Sequence, residues 1–264
     1  MIILIKLIFS LNLIACDFKS KLPVYSLSNL TSIIFNDIGL LKSVRAVSYF
    51  SSIHDQNVKR IHGGIYLSQK EISSWGSAVV FYDESQELSS KFKIHSSLKT
   101  REIKTRSRNY HQILREQQQL LLEFTQGCES RIMIQFSHYE ELIQKVHERY
   151  KKRSPLVFFL GPANFDRYPE LIIGDDGLVG DLVREKIIRS YPSMMSYIPW
   201  SKKIIQSLPK ETIFISLVDT HSKPSSTLRE VKPLFYEFSY PGILSPGPSQ
   251  ARGFLILADK LFLR

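Results

Sequence analysis

The sequence predicts an α/β fold. Three observations carry this: short apolar runs of strand length alternate with helical stretches, the pattern occurs in both halves of the chain, and one long amphipathic helix lies between them. The chain has 264 residues, enough for two small α/β units or one large domain. Hydrophobic residues make up 43% and charged residues 23%, an ordinary globular composition that indicates neither disorder nor a multispan membrane protein.

The elements follow in order. Apolar runs at 24–27, 44–49, 78–81 and 92–94 read as strands. Between the first two, Leu30, Ile33, Ile34 and Ile38 recur at helical spacing, with Ser28 or Asn29 as N-cap and Gly39 as stop. The basic run from Lys99 to Arg108 reads as a solvated loop. Tyr110, Ile113, Leu114, Leu120, Leu121 and Phe124 form a helical stripe ending at Gly127. Ile132, Phe136, Tyr139, Ile143, Val146 and Tyr150 form a second stripe, opposite a polar face that includes Arg131, Glu140 and Lys145. A helix over 129–152 would run about 36 Å, long enough to join two lobes; an ordinary packed surface helix fits the same pattern. Strands at 156–160, 213–218 and 234–238 follow, then a helix after Ser245-Pro246-Gly247-Pro248 with Ala251, Leu255, Ala258 and Phe262 inward.

The N-terminus bears on the compartment. Residues 1–15 hold Lys6 and an apolar run from Leu7 to Ala15, too short to span a bilayer but of signal-peptide length. The run ends in Leu13-Ile14-Ala15-Cys16, which resembles the bacterial lipobox. That implies cleavage before Cys16, lipid attachment there, and a polar tether over 17–22. The other cysteine, Cys128, carries no nucleophile motif and reads as a buried, inert thiol.

The net charge of +10 fits nucleic acid, an anionic membrane or an anionic ligand, and equally a lysine-rich background. The charge is spread along the chain, and its densest run lacks interleaved aromatics, so no nucleic-acid platform is expected. No Gly-x-Ser-x-Gly, His-Glu-x-x-His or phosphate loop is present, so no enzyme is expected. The seven histidines have no metal-ligand spacing, and no metal or cofactor is expected.

Four segments carry a family resemblance. Residues 22–39 and 44–49 give strand, Ser-rich turn, helix, glycine, then a strand ending at an aromatic. Arg60-Ile61-His62-Gly63-Gly64-Ile65-Tyr66 gives a glycine turn, followed by 72–81. Residues 156–161 lead to the loop Gly174-Asp175-Asp176-Gly177 and its helix. Tyr197-Ile198-Pro199-Trp200-Ser201 precedes 213–215, and Pro246-Gly247-Pro248 precedes the last helix. In order and spacing these resemble the iron-siderophore and vitamin B12 class of periplasmic solute-binding proteins of ABC importers.

The resemblance implies two α/β lobes joined by a single long backbone helix, with a ligand cleft between them. The divisions are a signal peptide (1–15), the lipidated cysteine and tether (16–22), an N-terminal lobe (23–128), the connecting helix (129–152) and a C-terminal lobe (153–264). It implies a lipid-anchored periplasmic receptor that passes a cobalamin-, haem- or ferric-siderophore-like ligand to an inner-membrane ABC permease. Ligand-facing positions would be Asn29, Tyr49, Gly64, Tyr66, Phe165, Arg167, Tyr168 and Tyr240, with Asp55 docking the permease. Near the second docking position the chain has Lys203 where a glutamate is usual. A receptor-derived adaptor without transport is the alternative.

Overall fold

The structure is a computed structural model. It describes residues 16–49, 51–53, 55, 57–62, 66–105, 109–151, 156–160, 171–173, 177–188, 197–199, 201–218, 234–243 and 247–262. Two five-stranded sheets form the two lobes. The N-terminal sheet holds β2 (Val24–Ser26), β3 (Val44–Ser48), β4 (Arg60–Ile61), β5 (Ala78–Asp83) and β6 (Leu98–Ile103), all parallel, in the order β4-β3-β2-β5-β6. Helices α1 (Asn29–Asp37), α2 (Gln69–Ser74) and α3 (Ser89–Lys93) lie among these strands in sequence. The central strands read as unbroken apolar runs because helices cover both faces of a parallel sheet: β5 is buried from Ala78 through Tyr82.

The second sheet runs β10-β9-β8-β11-β12, from β8 (Leu156–Leu160), β9 (Leu171–Ile173), β10 (Tyr197–Pro199), β11 (Ile213–Val218) and β12 (Phe235–Ser239). Strands β8, β11 and β12 are parallel; β9 pairs antiparallel with both β8 and β10. Between the lobes stand α4 (Tyr110–Phe124) and the connecting helix α5 (Glu129–Tyr150). The second lobe adds α6 (Gly177–Arg184), α7 (Lys202–Ser207) and α8 (Pro248–Phe262).

Helix α5 buries the six residues of its predicted stripe, Ile132 to Tyr150. Its first turn follows Gly127, whose φ of +66° suits glycine. Helix α8 packs against α5, and the Tyr150 hydroxyl donates to the Phe254 carbonyl at 2.9 Å. Asp37 at the end of α1 accepts from the Tyr139 hydroxyl of α5 at 2.8 Å and from Arg252 of α8 at 3.3 Å. Asp181 of α6 accepts the Tyr110 backbone N–H at the start of α4 at 2.7 Å. Carboxylates therefore fasten both lobes to the helices between them.

Three expectations change. Residues 92–94 are not a strand: Phe92 and Lys93 close α3, with Phe92 buried among Trp75 and Tyr82. The basic run opens with edge strand β6, whose exposed Lys99 and Arg101 suit a sheet edge. Residues 17–22 do not hang free. A third element, β1 (Asp17–Phe18), pairs antiparallel with β7 (Thr125–Gln126), and Phe18 packs edge-on against Phe35 with centroids 5.1 Å apart.

Candidate functional site

The parallel strands of the first lobe end at Ser26, Ser48, Ile61 and Asp83, and the loops beyond those ends form the edge where α/β sheets receive ligands. The local sequence builds this edge from short polar residues. Ser28 caps α1, accepting from the Thr31 N–H at 3.2 Å. The Ser32 hydroxyl bonds the Ser26 hydroxyl and the Ser28 carbonyl at 2.8 and 2.7 Å. Thr31 donates to Gln117 of α4 at 3.1 Å. The Ser-rich turn is thus satisfied within itself and against α4.

Strands β3 and β4 place aromatic rings beside this turn. Val47 pairs Arg60 and Ser48 pairs Ile61, so the next residues in register are Tyr49 and His62. The Tyr49 N–H donates to the Ile61 carbonyl at 2.7 Å. The Tyr49 and His62 rings stack with centroids 5.6 Å apart and planes 29° apart. The Tyr66 ring lies tilted beside His62, with centroids 6.3 Å apart. All three are exposed, Tyr49 at 52% and Tyr66 at 57%. Arg60 holds the loop that follows Tyr49: its guanidinium donates to the carbonyls of Tyr49, Ser51 and Ile53.

This arrangement offers two phenols and an imidazole on an open face. Such rings stack on flat aromatic ligands, and a Tyr or His side chain is the common protein ligand to haem iron. Tyr49 and Tyr66, expected from the sequence, are brought together. His62 was not expected; its place appears only once the β3–β4 register is known, because nothing in Arg60-Ile61-His62 marks the imidazole.

Asn29 is held by its neighbour in the chain's first lobe. It is 8% exposed, and its Oδ1 accepts from the Ser52 N–H at 2.9 Å and the Ser52 hydroxyl at 3.1 Å. Its amide nitrogen lies beside Gly242 of the second lobe, where a Cβ would come within 3.5 Å of it. Both hydrogen bonds fall on the Asn29 carbonyl oxygen and tie it to the loop after β3. Tyr240 is half-buried, stacked parallel to Phe238 with centroids 6.4 Å apart, and packed over Gly253 of α8. Asp55 is half-buried and accepts the Asn57 N–H at 2.8 Å in a local turn. Lys203 is exposed on α7. Gly64, Phe165, Arg167 and Tyr168 lie outside the described residues.

Asp83, at the end of β5, is a second group the sequence did not single out. Burial pushes its carboxyl up to about 6, against hydrogen bonds from Ser28 and the Asn29 backbone that favour the charged form. Its Oδ1 is buried without a hydrogen-bond partner among the described residues. Among those residues no three His, Cys, Asp or Glu side chains gather as a metal site, and no helix is long and apolar enough to cross a membrane.

The cysteines require a correction. Cys16 and Cys128 form a disulfide across a separation of 112 residues. Cys128 is therefore not the free, inert thiol expected from the sequence.

With two lobes, one connecting helix and an aromatic edge on the first sheet, the chain has the fold of the periplasmic solute-binding proteins of ABC importers. Solved structures bear this out. A periplasmic heme binding protein from Pseudomonas aeruginosa is 12% identical with a TM-score of 0.68, covering 91% of this chain and 92% of its own. An ABC transporter substrate-binding protein from Listeria monocytogenes is 12% identical with a TM-score of 0.67, covering 92% and 100%. The periplasmic vitamin B12 binding protein of Vibrio cholerae is 12% identical with a TM-score of 0.62, covering 90% and 98%. At such identities the likeness is one of fold. The chain matches no protein-family model and no curated protein sequence.

Proposed function

We propose that this chain is the ligand-binding component of an ABC-type importer and that it takes a planar tetrapyrrole, with haem the best fit. One observation carries the choice of ligand: the exposed Tyr49–His62–Tyr66 cluster at the ends of β3 and β4. A flat macrocycle uses this wall twice, by stacking on the rings and by taking a phenolate or imidazole at its iron. A ferric siderophore arrives with its iron already wrapped, and cobalamin with its cobalt flanked by the corrin's own groups, so neither uses both properties. The heme binding described for the Pseudomonas aeruginosa structure supports the same reading.

The working divisions are an N-terminal lobe (23–128), the connecting helix (129–152) and a C-terminal lobe (153–264). The ligand lies between the lobes, with Tyr49, His62 and Tyr66 contributed by the first. An ABC permease is the partner, and Asp55 remains its contact on the first lobe. The disulfide supports an oxidising compartment, in keeping with a periplasmic location. The Leu13-Ile14-Ala15-Cys16 motif favours a second reading of the N-terminus, a lipid anchor on Cys16.

The test is a thermal-shift screen of the chain from residue 16 onward against haem, cobalamin and several ferric siderophores. At a concentration roughly 100-fold above the dissociation constant, a bound ligand stabilises the native state by about 2.7 kcal/mol. A shift with haem alone is expected. A shift only with cobalamin or a siderophore would overturn the choice of ligand, and no shift with any of them would favour an adaptor that has lost transport.

A further inference from the structure

We propose that Cys16 is committed to a disulfide with Cys128 and carries no lipid, so that the exported chain works as a diffusible receptor. The chain has two cysteines in all, and the fold brings these two together from 112 residues apart. Cys128 is fully buried at the residue before α5, where it meets Cys16. The partnership therefore accounts for both cysteines at once, whereas the lipobox reading leaves Cys128 without a role.

The surroundings of Cys16 point the same way. Its side chain packs against the core formed with α1 and α5. The next residues are fastened at once: Asp17 and Phe18 pair with Gln126 and Thr125, and the Lys19 N–H donates to the Phe124 carbonyl at 2.9 Å. The Lys19 ammonium donates to the Leu122 carbonyl at 2.9 Å. Acyl chains on Cys16 would start from a partly buried sulfur with no tether behind it. A diacylglyceryl group there would have to displace the neighbours that the disulfide fits between.

The chemistry is a single oxidation. Two thiols lose two protons and two electrons to a protein disulfide of the oxidising compartment by thiol–disulfide exchange, and that donor is left as two thiols. The sulfur–sulfur bond uses the valence that a lipid thioether would need, so the two fates exclude one another. The inference rests on export of the chain, as the functional reading does, but not on which ligand it binds.

The experiment expresses the full chain with its own N-terminus in a diderm host. Soluble periplasm and detergent-extracted membrane are each analysed by intact mass, before and after reduction. The expected protein is soluble and about 2 Da lighter before reduction, the mass of the two thiol hydrogens. Cys16→Ser is expected to leave the partition unchanged. A detergent-requiring protein carrying several hundred daltons of acyl mass would overturn the proposal, as would a Cys16→Ser variant that moves from membrane to soluble fraction. A chain that remains reduced would overturn it too. Haem binding is read separately: an acylated chain that binds haem refutes this inference alone, and a disulfide-linked chain that binds none of the ligands refutes the functional reading alone.

Discussion

Asp181→Ala should be among the most damaging single changes in the second lobe. The Asp181 side chain is 4% exposed and sits on α6. One oxygen accepts the Tyr110 N–H at 2.7 Å, and the other accepts from Arg184 at 2.6 Å. Tyr110 begins α4, where the N–H groups lack partners within the helix. Asn109 serves a different donor, that of Gln112, at 2.7 Å. Removing the carboxylate leaves a buried N–H unpaired. A hydrogen bond to a charged acceptor is worth about 1.5–3 kcal/mol, and a negative charge at a helix N-terminus adds about 0.3–1 kcal/mol. The expected loss is therefore about 3 kcal/mol, or roughly 6–12 °C in Tm for a chain of this size. Asp181→Asn keeps an acceptor and should lose about 1 kcal/mol, mostly the charge. Arg184→Ala should cost less than Asp181→Ala, because the arginine is 41% exposed and its partner keeps the Tyr110 bond. Urea denaturation followed by circular dichroism measures all three. A loss under about 0.5 kcal/mol for Asp181→Ala would refute the idea that this carboxylate fastens α6 to α4.

Other outcomes follow from the same contacts. Cys128→Ser opens a loop of 112 residues and should cost about 2–5 kcal/mol in chemical denaturation; a reducing agent should lower the wild-type stability similarly while leaving Cys128→Ser unchanged. The Asp83 carboxyl has its folded pKa raised to about 6 from 3.8, so the native state holds the proton more tightly than the unfolded state. Its contribution to stability should therefore fall as pH rises from about 4 to about 6, then level off. Asp83→Asn should remove that fall, gaining up to about 3 kcal/mol on wild type between pH 4 and pH 7; parallel stability curves would refute it. Arg60→Ala should release the loop from Tyr49 to Ile53 and weaken haem binding about tenfold, or about 1.4 kcal/mol, in an absorbance titration. Unchanged affinity would mean that the clamp does not position Tyr49.

Much of the scaffold was legible because period and punctuation agreed. The stripe from Ile132 to Tyr150 is buried as read, and the connecting helix ends at Tyr150, two residues short of the expected boundary. Ser28 caps α1 as its type and position suggest. The strand over 213–218 was read to its observed ends. The failures also have physical causes. Three residues at 92–94 are too few to set a period, and packing of Phe92 against Trp75 and Tyr82 made them helical. Strand β6 is an edge strand, so its charges face solvent and hide the alternation that marks a half-buried strand.

The site was less legible than the fold. Tyr49 and Tyr66 were expected from the family resemblance, but His62 joins them only through the register of two neighbouring strands. Asn29 occupies the expected turn, where Ser52 donates to its carbonyl, and the sequence gives no sign of that pairing. The disulfide was hidden for the same reason: 112 residues separate its halves, and the Cys16 motif pointed to lipid.

The central claim is that the first lobe binds a tetrapyrrole on Tyr49, His62 and Tyr66. The most direct measurement is a visible-absorption titration of the chain with haem, repeated with Tyr49→Phe, Tyr66→Phe and His62→Ala. The account predicts a saturable one-to-one complex whose spectrum is that of protein-ligated iron. At least one of the three variants should change that spectrum while its Tm without ligand stays within a few degrees of wild type. Haem that binds with the same spectrum and affinity in all three variants, or does not saturate, would contradict it.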